Sequence, residues 1–393
     1  MRMLAPPALM FFCNSILFIS LFTRLPDIQA GLGIDKAMLG AALLAVPLGT
    51  FLALPLAGKI NNALSPRRTA ALMLALLALL IPVLALVPFY AVVLGLVLMG
   101  FIRTILEVAQ NMVSTGIEQQ SGVKILARSH GFWSIGLLVG TIASGLLAGW
   151  GTSAAVHLAG AGAFVLLCCL LILRITPPAV APWIAQSGAK ATIFVMPDKA
   201  ILLIALLIIG IGIIEGAIYD WGIFFIQEEI TGDPARAGLL YACFTVGMGF
   251  TRLIGDRLRD TFRPQHLVQG SALLVALGLI LLLLVGGQLA GGLGLALIGC
   301  GVALNYPMAV ATVANLGGQR SPAENLAALS LTMLVSTLGI PPVLGAIAEH
   351  FGITASFLIL LPLTVLSVIM APVAEGRRPL LTRRSRQGTT PAK

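Results

Sequence analysis

Five ionisable side chains sit inside long apolar runs of this chain: Arg103, Glu107, Glu215, Asp220 and Arg252. A charge held at membrane depth costs at least a few kcal/mol, about 3 on insertion scales, so each is a candidate for function. Arg103, Glu107 and Asn111 are spaced four apart and share one helical face, with Gln110 beside Glu107. Glu107 can be neutralised by Arg103 or by a proton. A carboxylate that exchanges one for the other couples proton movement to whatever Arg103 holds. A static Arg103–Glu107 pair joining helices is the alternative, although buried pairs seldom add stability. Glu215 and Asp220 are five residues apart, about 140° around an ideal helix, so they need not face one cavity. Tyr219 and Trp221 supply aromatic surface suited to stacking on a sugar ring; Trp221 equally suits an interfacial belt. Asn14 and Asn305 offer amides that can bind a solute or bond a neighbouring helix. Pro307 and the Pro341-Pro342 pair are weak points where a helix can bend.

The remaining chemistry is sparse. The sequence has no phosphate-cradling loop, no nucleophile elbow and no metal-ligand spacing, so neither an enzyme nor a cofactor is expected. Cys13, Cys168, Cys169, Cys243 and Cys300 all fall within apolar runs, which argues for buried small hydrophobes rather than a disulfide framework. His130 opens a run, where a hydrogen bond to a loop is the simpler role.

These residues need a membrane-spanning scaffold. Hydrophobic residues make up 58% of the 393, charged residues 10%, and mean hydropathy is +1.02. The pattern predicts an all-α membrane protein with twelve spans, at roughly 8–26, 38–57, 69–89, 91–115, 129–150, 155–174, 200–226, 237–255, 267–286, 290–313, 326–348 and 352–373. Sliding the chain on itself by 198 positions lays Ile28, Gln29, Asp35, Ala37, Gly40, Gly49 and Pro66 on Ile226, Gln227, Asp233, Ala235, Gly238, Gly247 and Pro264. In the same frame Glu107 meets Asn305. The chain therefore reads as two pseudo-symmetric six-helix halves, 1–174 and 200–373. A Pro-rich linker at 175–199 joins them and a basic tail at 374–393 follows. A cavity is expected at the interface between the halves, lined by spans one, four, seven and ten.

Charge placement sets an orientation. With the N-terminus inside, 19 of the 24 cations fall in inner loops and termini, while the outer loops hold only Arg24, Lys36 and Arg236. Both termini are then cytoplasmic, in a plasma or bacterial inner membrane. The net charge of +9 reflects topology, and no nucleic-acid partner is implied.

The segment Gly58-Lys-Ile-Asn-Asn62-Ala-Leu-Ser65-Pro-Arg67-Arg68 and its counterpart Arg252-Leu-Ile-Gly255-Asp256-Arg257-Leu-Arg-Asp260 resemble the G-x-x-x-D-R-x-G-R-R loop of the major facilitator superfamily. Arg24-Leu-Pro-Asp27-Ile28, Glu107-Val-Ala-Gln-Asn111, His130-Gly-Phe-Trp133-Ser-Ile-Gly136 and Glu215-Gly-x-x-x-Asp220-Trp221 look like the fucose-permease-like branch of it. The resemblance implies the superfamily fold, alternating access, a small polar solute and proton coupling. It also implies a gate at the cytoplasmic face built from Asn62, Arg67, Arg252, Asp256 and Asp260. The first copy departs from the pattern, with Asn62 for the acid, Ala63 for an arginine and Ser65 for the glycine, so a charged gate would rest on Asp256 and Asp260. Arg252 and Asp256, four apart, can also pair with each other.

The function expected is a monomeric secondary transporter for a sugar or sugar-like metabolite, by proton symport. Glu107, Glu215 and Asp220 are the coupling candidates. Asn14, Arg103, Gln110, Asn111, Tyr219, Trp221 and Asn305 are the solute-binding ones. The competing expectation is proton-coupled efflux of an amphiphile, for which a more aromatic cavity than 6% of residues would be expected.

Overall fold

A computed structural model describes residues 4–123, 125–177, 195–314, 316 and 322–375. Lys124, most of the linker with Trp183, the 317–321 loop and the basic tail from 376 lie outside the described residues, as does the side chain of Asp256. Twelve helices are long and apolar enough to cross a membrane: α1 (Ala5–Thr23), α2 (Lys36–Leu64), α3 (Pro66–Val83), α4 (Phe89–Ser121), α5 (Arg128–Gly149), α6 (Ala154–Ile175), α7 (Lys199–Thr231), α8 (Pro234–Gly255), α9 (Pro264–Val285), α10 (Gly287–Val310), α11 (Glu324–Phe351) and α12 (Ile353–Glu375). No strand occurs among the described residues.

Local chemistry sets where several of these helices begin. The carboxylates of Asp35, Asp198 and Asp233 accept from the backbone N–H of Met38 (2.7 Å), Ile201 (3.0 Å) and Ala235 (2.9 Å), satisfying donors that a first turn leaves free. Proline interrupts two others. The α-helix of α10 breaks at Ala303–Leu304 and restarts at Asn305; Ala303 is four residues before Pro307, where a proline ring displaces the carbonyl. In α11 the break falls just before Pro341-Pro342, and the helix resumes at Ile340.

The twofold repeat reappears in the packing. Within the first half α2 lies on α4, α3 on α4 and α6, and α1 on α5 and α6; within the second, α8 lies on α10, α9 on α10 and α12, and α7 on α11 and α12. The halves meet along two equivalent crossings, α5 with α8 and α2 with α11. The repeated glycines explain why these lines survive. A Cβ on Gly49 would strike the Val97 carbonyl of α4, and one on Gly247 the Ala296 carbonyl of α10. A Cβ on Gly40 would come to 2.6 Å from the Pro341 carbonyl of α11, and one on Gly238 would collide with Gly145 of α5. Both glycines of the second pair thus sit at the crossings between the halves, where backbone meets backbone.

Candidate functional site

Arg103, on α4, is the centre of the arrangement. Its guanidinium lies over the rings of Phe18 from α1 (4.3 Å to the centroid) and Trp133 from α5 (5.1 Å). Phe18 also meets the Tyr219 ring of α7 edge-on at 5.4 Å, so aromatic groups from both halves wall this point. The Arg103–Glu107 pair expected from spacing is not formed. Glu107 is within electrostatic reach of Arg103 but beyond ion-pair distance, and its side chain is exposed. Helical spacing gave reach along α4; the cation is held instead by π faces on neighbouring helices.

Glu107 also lies within electrostatic reach of Tyr306 on α10, in the other half. Glu107, Tyr306 and His130 are all exposed although they belong to spans. His130 Nε2 shares a hydrogen bond with Asn111 Oδ1 at 3.2 Å, and its ring packs on Phe11 at 4.4 Å, so it is tied to α4 and α1 rather than to a loop. These polar groups are exposed on the side where α4 ends and α5 begins.

Two turns beyond Arg103 on the same face, the amides pair. Asn14 Nδ2 of α1 donates to Gln110 Oε1 at 3.1 Å. Both side chains are buried, and Asn14 Oδ1 and Gln110 Nε2 are left without partners. Asn305 is also buried; its Nδ2 donates to the Ile208 carbonyl of α7 at 2.8 Å, and its Oδ1 has no partner.

The second polar centre spans the halves. Glu215 Oε1 lies 3.9 Å from an Arg252 nitrogen of α8 and receives a long 3.5 Å hydrogen bond from the Tyr219 hydroxyl. A second Arg252 nitrogen donates to Ser134 Oγ of α5 at 3.1 Å. Arg252, expected at a cytoplasmic gate, reaches the interface between the halves, where Glu215 and Ser134 offer it an acid and a hydroxyl. Ser134 carried no signal in the sequence beyond the motif around Trp133.

Asp220 is half-buried and forms no ion pair among the described residues. Trp221, expected to stack on solute or lie in an outer belt, is packed inside the protein. It is fully buried, its ring reaches the edge of Gly345 on α11 and packs on Phe224 at 5.4 Å, and its Nε1 has no acceptor. The missing side chain at Gly345 makes the space it fills.

Among the gating residues whose side chains are described, no hydrogen bond or ion pair joins one to another. Asn62 and Asp260 are exposed. Arg67 donates to the Leu173 carbonyl near the end of α6, so it ties two helices of its own half. The neighbouring Asn61, overlooked in favour of Asn62, is buried and bonds the Ala57 and Ile105 carbonyls at 2.8 and 3.2 Å, joining α2 to α4. Ser65 holds a φ of +72°, a backbone conformation that suits the glycine it replaces in the family loop.

At the opposite end the halves are tied. Lys36 Nζ at the start of α2 lies 3.1 Å from Glu228 of α7, and the Lys36 backbone N–H donates to Glu349 of α11 at 2.9 Å. Arg24, read as a loop cation, is buried there. It bonds His157 Nδ1 (3.1 Å), Asp27 (2.8 Å) and the Thr152 carbonyl (3.0 Å). Among the described residues no group of His, Cys, Asp and Glu side chains is arranged to hold a metal ion.

Comparison with known proteins settles the family. The Major Facilitator Superfamily model matches residues 8–339 and again 218–392. The chain belongs to the major facilitator superfamily. Related superfamily sequences include an uncharacterized MFS-type transporter of Yersinia pestis, 28% identical over 84% of this chain and 85% of that one. The membrane protein MosC of Rhizobium meliloti is 26% identical over 91% and 87%. Solved superfamily structures share the fold. The nucleoside transporter NupG superposes with a TM-score of 0.74 at 18% identity, covering 95% of this chain and 99% of its own. A D-xylose–proton symporter gives 0.74 at 14%, covering 96% and 98%. The transporter FucP in its outward conformation gives 0.62 at 19%, covering 94% and 98%. The protein is an integral membrane transporter of this superfamily, not an enzyme.

Proposed function

We propose that this transporter carries a small polar solute, sugar-like in size, by proton symport and alternating access. The two halves rock about the α5–α8 and α2–α11 crossings. The observation that carries the reading is an asymmetry between the two ends of the molecule. Polar groups of both halves, Glu107 and Tyr306, are exposed on one side, while Lys36, Glu228 and Glu349 bridge the halves at the other. With both termini cytoplasmic, as the cation distribution argues, this conformation opens inward, in a bacterial inner membrane. Arg103, Asn14, Gln110, Asn111, Asn305 and Tyr219 are the solute contacts in this reading. Glu107 is the first coupling group, with Glu215 and then Asp220 behind it, and the protein works as a monomer. The solved neighbours described as a fucose:proton symporter and a D-xylose–proton symporter support the solute size and the coupling.

The test is uptake of a labelled panel of sugars and sugar acids into proteoliposomes holding the purified protein. An inward proton gradient should drive accumulation above the equilibrium level, and collapsing it should return uptake to equilibration. Accumulation indifferent to the gradient removes proton symport. The aromatic wall of Phe18, Trp133 and Tyr219 favours a second reading, export of an amphiphile, which would appear as gradient-driven extrusion from inverted vesicles.

A further inference from the structure

The guanidinium of Arg103 is a cation without a counter-ion. Glu107 stands off beyond ion-pair distance, and Glu215 is engaged by Arg252 and Tyr219. None of the three guanidinium nitrogens donates a hydrogen bond to a described residue, and Nε is buried without an acceptor. The rings of Phe18 and Trp133, whose own centroids are 5.9 Å apart, lie together on one side of the group. Cation–π contact attracts a guanidinium but leaves its net charge in place and its N–H donors without an acceptor. Those donors form a fork whose natural complement is a carboxylate or a similar small oxyanion, bound bidentately. Seven residues further along the same face of α4, about 10 Å by helical rise, the Asn14–Gln110 pair keeps one free acceptor and one free donor.

We propose that the solute is an organic anion, carrying a carboxylate that docks on Arg103 with a hydroxyl-bearing body reaching toward Asn14 and Gln110. The proposal rests on the transport reading and narrows it from polar solutes in general to sugar-acid-like or other hydroxy-acid anions. A neutral sugar would leave the cation uncompensated in the middle of the membrane, whereas a carboxylate completes the site. Glu107, the nearest acid, then acts as the internal rival for the same cation.

The full-length protein, purified in detergent, is titrated with matched acid and neutral pairs: D-gluconate and D-glucose, D-galacturonate and D-galactose, glycerate and glycerol, benzoate and benzyl alcohol. Binding is read as thermal stabilisation, and the same compounds are followed into proteoliposomes. At least one acid should stabilise the protein while its neutral partner does not. Arg103→Gln should weaken that binding by about 30-fold or more, the loss expected when one member of a buried charge pair is removed. Arg103→Lys, which keeps the charge but not the fork, should lose less. Glu107→Gln should bind the acid at least as tightly as wild type because it removes the rival for the cation, and an unliganded unfolding midpoint of Arg103→Gln close to that of wild type shows that this variant is folded. The assignment is overturned if no acid stabilises the protein, if acid and neutral partners bind alike, or if acid binding survives Arg103→Gln. Uptake of a neutral sugar that survives Arg103→Gln would overturn the anion assignment and leave the transport reading intact. Absence of uptake of any compound by folded wild type would count against the transport reading itself.

Discussion

Replacing Glu228 by Gln and Glu349 by Ala should open the end of the molecule that Lys36 now closes. The Lys36–Glu228 pair is 3.1 Å long, with side chains 20% and 39% exposed. Water reaches it, so its worth is about 0.5–1 kcal/mol, within the range of surface pairs. The second contact is a backbone N–H on a carboxylate, 2.9 Å from Lys36 to Glu349. Such a bond is worth about 1.5–3 kcal/mol when protected, and about 1 where solvent competes. The double change should therefore cost the closed arrangement about 1–2 kcal/mol, a shift of about 5- to 30-fold in the ratio of closed to open. Spin labels at the exposed positions Ala30 and Glu229, one in each half, would read it as growth of a longer distance in double electron–electron resonance. Because the ion pair is screened, raising salt from about 0.05 to 0.5 M should open wild type toward the variant and narrow the gap between them. Distance distributions that superimpose for wild type and the double variant at both salts would refute the latch.

Glu107→Gln, which mimics the protonated acid, should keep solute binding and counterflow exchange but lose gradient-driven accumulation; accumulation that persists would move the coupling role to Glu215. Asp256→Ala and Asp260→Ala should shift the population toward the inward-open state by at most about 1 kcal/mol, since Asp260 is exposed, and unchanged cysteine accessibility at both faces would dispose of the charged gate. Ser65→Gly should raise stability by about 1 kcal/mol by relieving the φ of +72°, and a lowered unfolding midpoint would show that the hydroxyl matters more than the backbone.

The parts of this molecule legible in its sequence are those dictated by backbone. Asp35 and Asp233 recur because each caps the start of a helix, and Gly40, Gly49, Gly238 and Gly247 recur because a Cβ at any of them would strike a neighbouring helix. Such constraints outlast divergence, so the twelve spans and the twofold packing could be read without coordinates. The site was less legible because helical spacing fixes which groups can meet on one helix and says little about other helices. Arg103 had Glu107 within reach on α4 and turned to Phe18 and Trp133; Arg252 reaches Glu215 on α7 and Ser134 on α5. Trp221 next to Asp220 suggested a cavity wall, but the pocket it fills is made by the absent side chain of Gly345, more than a hundred residues away. Asn61 and Asn62 differ by 100° on the helix, and that rotation alone separates the buried strut from the exposed neighbour.

The burial of Arg24 bears on the order in which the chain is made. Its partners His157 and Thr152 belong to α6 and to the turn before it, and the ribosome adds them only after four further helices have emerged. Until then the guanidinium at the end of the first helix has Asp27 alone for company, and belongs in the aqueous or headgroup layer rather than in protein. The first helix can enter the membrane early, but its outer end can reach its final seat only when the sixth arrives. The amino-terminal half is in this sense closed by its last helix.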